Sequence, residues 1–158
     1  MTAWTHFFIV AAIQIALFLF VARGRHTLRI AVWSVLLGIV VGIPFDLFFG
    51  KYLGIFSYDL SFGIPFLIAN GALSYGAMIG TVWALFDKGM LPFYVSILSL
   101  GVIYETANSF FPVWEWTFLQ NGLIEEIVVV GIAYFVLAIL MALLIMLIPR
   151  KRPEPPQV

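Results

Sequence analysis

Residues 28 to 49 read LRIAVWSVLLGIVVGIPFDLFF, an apolar run with a base near its start, Arg29, and an acid near its end, Asp46. A hydrocarbon core takes roughly 20 apolar residues at about 1.5 Å rise each, so this run is long enough to cross one. Its two charges sit at opposite ends, and the rest of the chain repeats that sorting. Six of the eight acids (Asp46, Asp59, Glu105, Glu115, Glu125, Glu126) fall in two connecting regions, together with a single base, Lys51. The other seven bases (Arg23, Arg25, Arg29, Lys88, Arg150, Lys151, Arg152) fall in the alternate connections and the C-terminal tail. By the positive-inside rule the basic connections stay cytoplasmic, which puts the carboxylate-rich end outside.

Composition agrees. With 63% hydrophobic and 10% charged residues and a mean hydropathy of +1.10, the chain has too little polar surface to coat a water-soluble globule. No cysteine is present, which removes disulfides, thiolate nucleophiles and thiolate metal sites. His6 and His26 have no second ligand at helical spacing and read as interfacial residues, so no metal and no cofactor is expected. A net charge of zero argues against nucleic acid as a partner.

Four further apolar runs cover residues 5 to about 21, about 62 to 86, 91 to about 111, and about 118 to 148. The expected fold class is therefore all-α, a polytopic membrane helix bundle of about five transmembrane helices. A single domain spans residues 1–149, with residues 150–158, rich in proline and bases, as a disordered cytosolic tail. The first run carries its charges after the apolar stretch rather than before it, so it reads as an uncleaved helix with its N-terminus outside. The expected localisation is the cell membrane, multi-pass, with the C-terminus cytoplasmic. The fifth run has two readings. A capping box from Thr117 to Gln120 starts it early and carries Glu125 about 12 Å along the axis, whereas a start near Asn121 or Gly122 leaves both glutamates in the first turn.

Residues 28–87 and 88–148 read as two copies of one unit, a parallel internal repeat to which the first helix is added. In the first copy Asp46 ends the outgoing helix, then come Gly54-Ile-Phe-Ser-Tyr58 and a return near Gly63-Ile-Pro65. The second copy has Glu105, Val113-Trp-Glu-Trp116 and a return near Gly122-Leu-Ile-Glu-Glu126. Asp46 to Gly63 and Glu105 to Gly122 are both 17 positions. Within the third run Asn70 and Ser74 share a helix face, with Tyr75 just beyond, which suggests hydrogen bonding between helices. Gly38 with Gly42, and Gly76 with Gly80, have the spacing that lets helix backbones approach closely.

At these residues the chain resembles the small membrane lycopene cyclase domains of carotenoid biosynthesis, the heterodimeric bacterial type also found fused in fungi. The resemblance covers roughly residues 28 to 140. Those domains carry an acid at the end of one helix, an aromatic loop of the W-x-Y kind, and a following helix that opens Pro-Leu-Glu-Glu. Two departures mark a divergent relative: Phe66-Leu67 replaces the acidic pair after Pro65, and Leu-Ile precedes Glu125-Glu126 in the second copy. The resemblance implies acid-catalysed cyclisation or isomerisation of a carotenoid or other prenyl lipid, without redox change or cofactor. It implies Asp46, Glu105, Glu125 and Glu126 as catalytic carboxyls, and Phe56, Tyr58, Asn70, Tyr75, Asn108, Trp114 and Trp116 as substrate-binding residues. The expected partners are the lipid bilayer, a hydrophobic prenyl substrate and a homo- or hetero-oligomeric copy.

Elementary electrostatics assigns roles within that set. Asp46 and Glu105 end helices, where the dipole disfavours a carboxylate charge, and suit proton donation; Glu125 and Glu126 begin one, where it favours a charge, and suit a base or cation stabiliser. Competing with this are an aromatic belt of Tyr52, Tyr58, Trp114 and Trp116 with acids at the water boundary, and a non-enzymatic membrane protein, either a small transporter or a helper subunit.

Overall fold

The computed structural model describes residues 1–23, 27–86, 89–117 and 123–146. Arg25, His26, Lys88, Gln120 and the 150–158 tail lie outside the described residues, as do the side chains of Glu125 and Glu126.

The fold is all-α. Helix α1 (Ala3–Val21) opens on Thr2, whose hydroxyl accepts from the Thr5 amide, a cap for one of the orphan N–H groups of the first turn. Helix α2 (Thr27–Phe45) contains Pro44 and passes directly into a π-helical stretch, π1 (Asp46–Tyr52). Proline has no N–H and its ring crowds the carbonyl four residues back, so a widened turn just beyond it is a physical accommodation. Next come α3 (Ile64–Ala69), a second π-helical stretch π2 (Asn70–Tyr75) and α4 (Gly76–Phe86), which form one continuous rod. Helices α5 (Met90–Phe110) and α6 (Leu123–Met146) complete the bundle.

Three of these rods, Ala3–Val21, Leu28–Tyr52 and Ile64–Phe86, are long and apolar enough to cross a membrane. Their outward faces fit that solvent: Val32, Leu36 and Val40 of α2 are all exposed, a stripe that would be an aggregation patch in water.

Two three-residue strands add to the expected fold. β1 (Phe56–Tyr58) pairs antiparallel with β2 (Trp114–Trp116), in the register Phe56 with Trp116, Ser57 with Glu115 and Tyr58 with Trp114. The Thr117 amide and hydroxyl both bond the Ile55 carbonyl, at 3.1 and 3.0 Å, and the hydroxyl also meets the Gly54 carbonyl. Thr117 therefore closes the sheet; residues 118–122, on which the two readings of the fifth run's start turn, lie outside the described residues, and the described part of α6 runs from Leu123. The sheet holds both acidic connections at one end of the bundle. His6 joins them there, its Nδ1 lying 3.3 Å from the Pro112 carbonyl, so the N-terminus of α1 is at the same end.

Packing divides the molecule by depth. Away from the sheet, α4, α5 and α6 are filled by Ile79, Val82, Phe93, Ile97, Met141 and Ile145. Across the bundle, α2 meets π2 and α4 at backbone contact. A Cβ on Gly38 would lie 2.2 Å from the Gly71 carbonyl oxygen and 2.6 Å from the Gly76 nitrogen. The glycine spacing read from the sequence marks this crossing, and a Cβ on Gly80 would meet the Phe18 ring of α1 at 2.7 Å. Nearer the sheet the interior is not filled.

Candidate functional site

The unfilled region is an apolar cavity of about 320 Å³, within the range of small-molecule sites. Its wall draws on both halves of the chain and on α1: Phe45, Phe49, Phe56, Tyr58, Asn70 and Tyr75 from the first half, Trp114, Trp116, Tyr134 and Leu137 from the second, and Phe7, Val10 and Gln14 from α1. Val136 and Leu140 of α6 also line it while being 49% and 47% exposed, which brings the cavity to the outer face of the bundle.

The local folding of π2 explains how the first-half residues meet. In an α-helix, positions 70 and 75 would point about 140° apart, too far to share a partner. The wider π turn brings both to Asp46, and single π turns of this kind are frequent at functional sites. Tyr75 donates to Asp46 Oδ1 at 2.8 Å and Tyr58 to the same oxygen at 3.0 Å, while Asn70 Nδ2 donates to Oδ2 at 2.8 Å. Asn70 Nδ2 also reaches the Tyr58 hydroxyl at 3.1 Å. Asp46 itself is 0% exposed, so its donors, not its carboxyl, form the wall. Burial first, and then the Asp46 carboxyl beside it, push the Tyr58 phenol well above the usual tyrosine range, so it stays a proton donor at neutral pH.

Glu105 has a parallel setting. The indole N–H groups of Trp114 and Trp116 donate to its Oε1 at 3.4 and 3.3 Å, and the Tyr134 phenol lies near enough to feel its charge. Both acids thus stand one layer behind the cavity, each with three side chains between it and the space. Tyr75 follows Asp46 by 29 positions, and Tyr134 follows Glu105 by 29. Gly42 packs under the Tyr75 ring and Gly101 under the Tyr134 ring, again at equal separations of 33.

Of the residues expected to bind substrate, Phe56, Tyr58, Asn70, Tyr75, Trp114 and Trp116 converge on this cavity. Asn108 does not. Its Oδ1 accepts from the Val113 and Trp114 amides at 2.8 and 3.1 Å and its Nδ2 donates to the Trp114 carbonyl at 2.8 Å, so it shapes the turn that delivers Trp114. No group of metal-ligating side chains occurs among the described residues.

Four participants went unread in the sequence: the two strands, Tyr134 and Gln14. The strands are signalled by the alternation Phe-Ser-Tyr and Trp-Glu-Trp, with Ser57 and Glu115 exposed between inward aromatics. Tyr134 is signalled by the repeat spacing, and Gln14 by being an amide in an otherwise apolar run.

No family model, no curated protein and no solved structure matches this chain.

Proposed function

We propose that the chain is a multi-pass membrane protein of the lycopene-cyclase kind, which isomerises a carotenoid or other prenyl lipid by proton transfer. In this reading it crosses the cell membrane five times, with the N-terminus and the sheet outside and the C-terminus in the cytoplasm. The observation that carries it is an apolar, aromatic cavity with two carboxyls held directly behind its wall by tyrosines that face the space. Ring closure of a polyene end needs a proton delivered to a terminal double bond, a wall that tolerates the resulting carbocation, and a base that removes a proton once the new C–C bond has formed. The molecular formula is unchanged. In this reading Tyr134 passes the proton, with Glu105 behind it as the source, while Asp46 accepts from Tyr58, Asn70 and Tyr75 and holds the wall in place. The faces of Phe45, Phe56, Tyr58, Trp114 and Trp116 offer ring quadrupoles to a cation. Glu125 or Glu126 of α6 is the base.

The test is expression in cells that accumulate linear carotenoids, both hydrocarbon and hydroxylated, followed by pigment extraction. A product of unchanged mass, earlier elution and shorter-wavelength absorption is expected. Glu105→Gln and Glu125→Gln should lose most of that conversion at normal protein levels, since an amide keeps the shape but does not exchange a proton as a carboxyl does. Unaltered pigments at normal protein levels would remove the catalytic reading.

The complete burial of Asp46 favours a second reading, in which the cavity holds a lipid without changing it. Under that reading pigment co-purifies with the protein chemically intact. The topology is tested separately. A cysteine placed at exposed Ser57 should react with an impermeant thiol reagent from outside, and one at Gln157 should not; the opposite pattern reverses the orientation.

A further inference from the structure

Gln14 is 2% exposed in the middle of α1, and its Oε1 has no hydrogen-bond partner among the described residues. It shares a helix face with Phe7 and Val10 at spacings of three and four, and all three belong to the cavity wall. A side-chain amide at membrane depth without a partner is unfavourable, because no water is at hand to take its place.

Its depth is also informative. Gln14 lies 11 residues beyond Ala3, the first residue of α1. Tyr75 lies 11 beyond Ile64, the first residue of its rod, and Tyr134 lies 11 beyond Leu123, the first described residue of α6. All three rods start at the sheet end, so the three polar groups occupy one level, roughly 16 Å in, close to the middle of a hydrocarbon core about 30 Å thick. Tyr75 commits its hydroxyl proton to Asp46, and Tyr134 lies within the electrostatic reach of Glu105. Gln14 Oε1 is the acceptor at that level left without a donor.

We infer that the molecule held in this cavity is a long apolar chain bearing a hydroxyl group, and that this hydroxyl donates to Gln14 Oε1. A pure hydrocarbon supplies no such donor. Oε1 is turned beneath the wall, and the last torsion of a glutamine is broad enough to turn it outward to a ligand. The inference rests on the reading of the cavity as a lipid site and narrows its substrate class to hydroxylated isoprenoids. It requires no catalysis.

The experiment uses the full chain in lipid nanodiscs and two probes, all-trans-retinol and the hydrocarbon that differs from it only in lacking the hydroxyl. Binding is read by energy transfer from Trp114 and Trp116, which lie in the cavity wall, to the polyene. The wild type should prefer the alcohol about tenfold, the worth of one hydrogen bond to a buried acceptor. Gln14→Leu should erase that preference by weakening the alcohol alone. Its thermal midpoint should be unchanged or higher, because leucine removes an unpaired buried acceptor. Three results overturn the inference: the same alcohol-to-hydrocarbon ratio in both proteins, no saturable binding of either probe, or a midpoint lowered by several degrees in the variant, which would assign Gln14 a structural partner. An alcohol preference that Gln14→Leu erases, together with unaltered pigments in cells, would sink catalysis alone, whereas pigment conversion with the same ratio in both proteins would sink this inference alone.

Discussion

Asp46 and Glu105 occupy corresponding places, 59 positions apart, and are held in different ways. Asp46 is fully buried and takes three hydrogen bonds of 2.8 to 3.0 Å, two of them from residues brought together by a π-helical turn. Glu105 is partly exposed, its indole bonds are 3.3 and 3.4 Å, and the helices on either side of it are regular. The common N–H···O distance is about 2.9 Å, so the second set is loose. One layout thus supports two uses. The first carboxyl ties β1, π1 and π2 into a fixed frame, and the second is met by longer indole bonds at a partly exposed position.

The largest effect expected from this contrast lies at the glycines beneath it. Gly38→Ala drives a Cβ onto backbone atoms of π2 and α4, which have no rotamer to yield, and should cost more than about 3 kcal/mol and most of the folded protein. Gly101→Ala meets only the Tyr134 ring, at 3.3 Å, and regains up to about 1 kcal/mol of helix propensity, so its net effect should be near zero. Thermal unfolding in detergent measures both. Equal losses would mean that the second half is as tightly packed as the first.

Next in size are the acids themselves. Asp46→Ala leaves the Tyr58 and Tyr75 hydroxyls and the Asn70 amide without their acceptor, at about 1 kcal/mol or more for each buried donor, so a loss of about 3 kcal/mol or more is expected. Glu105→Ala should cost about 1 kcal/mol, because its donors are weakly held and its site reaches the surface. A Glu105 variant as damaging as the Asp46 variant would break the contrast between the two carboxyls.

The parts of this arrangement that follow from hydropathy and charge were legible in the sequence. Helix number, the shared end of the acidic connections and the glycine crossing all rest on patterns with fixed periods. Asp46, Tyr58, Asn70 and Tyr75 each stood out in the sequence, but their mutual contact did not, because it depends on a π turn that changes the angle between positions 70 and 75. The cavity wall contributed by α1 was hidden for a related reason. The expected repeat drew attention to residues 28–148, and a single amide at position 14 has no counterpart there to give it away. Asn108 misled because an asparagine near aromatics looks the same in sequence whether it faces a ligand or braces a turn.

The smallest effect is the most discriminating. Tyr75→Phe removes a 2.8 Å hydrogen bond to a buried carboxyl and nothing else, and should cost about 1.5 kcal/mol. Trp116→Phe removes a 3.3 Å bond to Glu105 and keeps an aromatic ring at the edge-on contact with Phe56, so it should cost less than about 0.5 kcal/mol. Glu115→Gln, on the exposed side of β2, serves as the silent reference. The three midpoints should therefore fall in the order Tyr75→Phe lowest, then Trp116→Phe, then Glu115→Gln beside the wild type. If Trp116→Phe proves as costly as Tyr75→Phe, the long distances around Glu105 conceal a strong site, and Glu105 joins Asp46 as part of the frame.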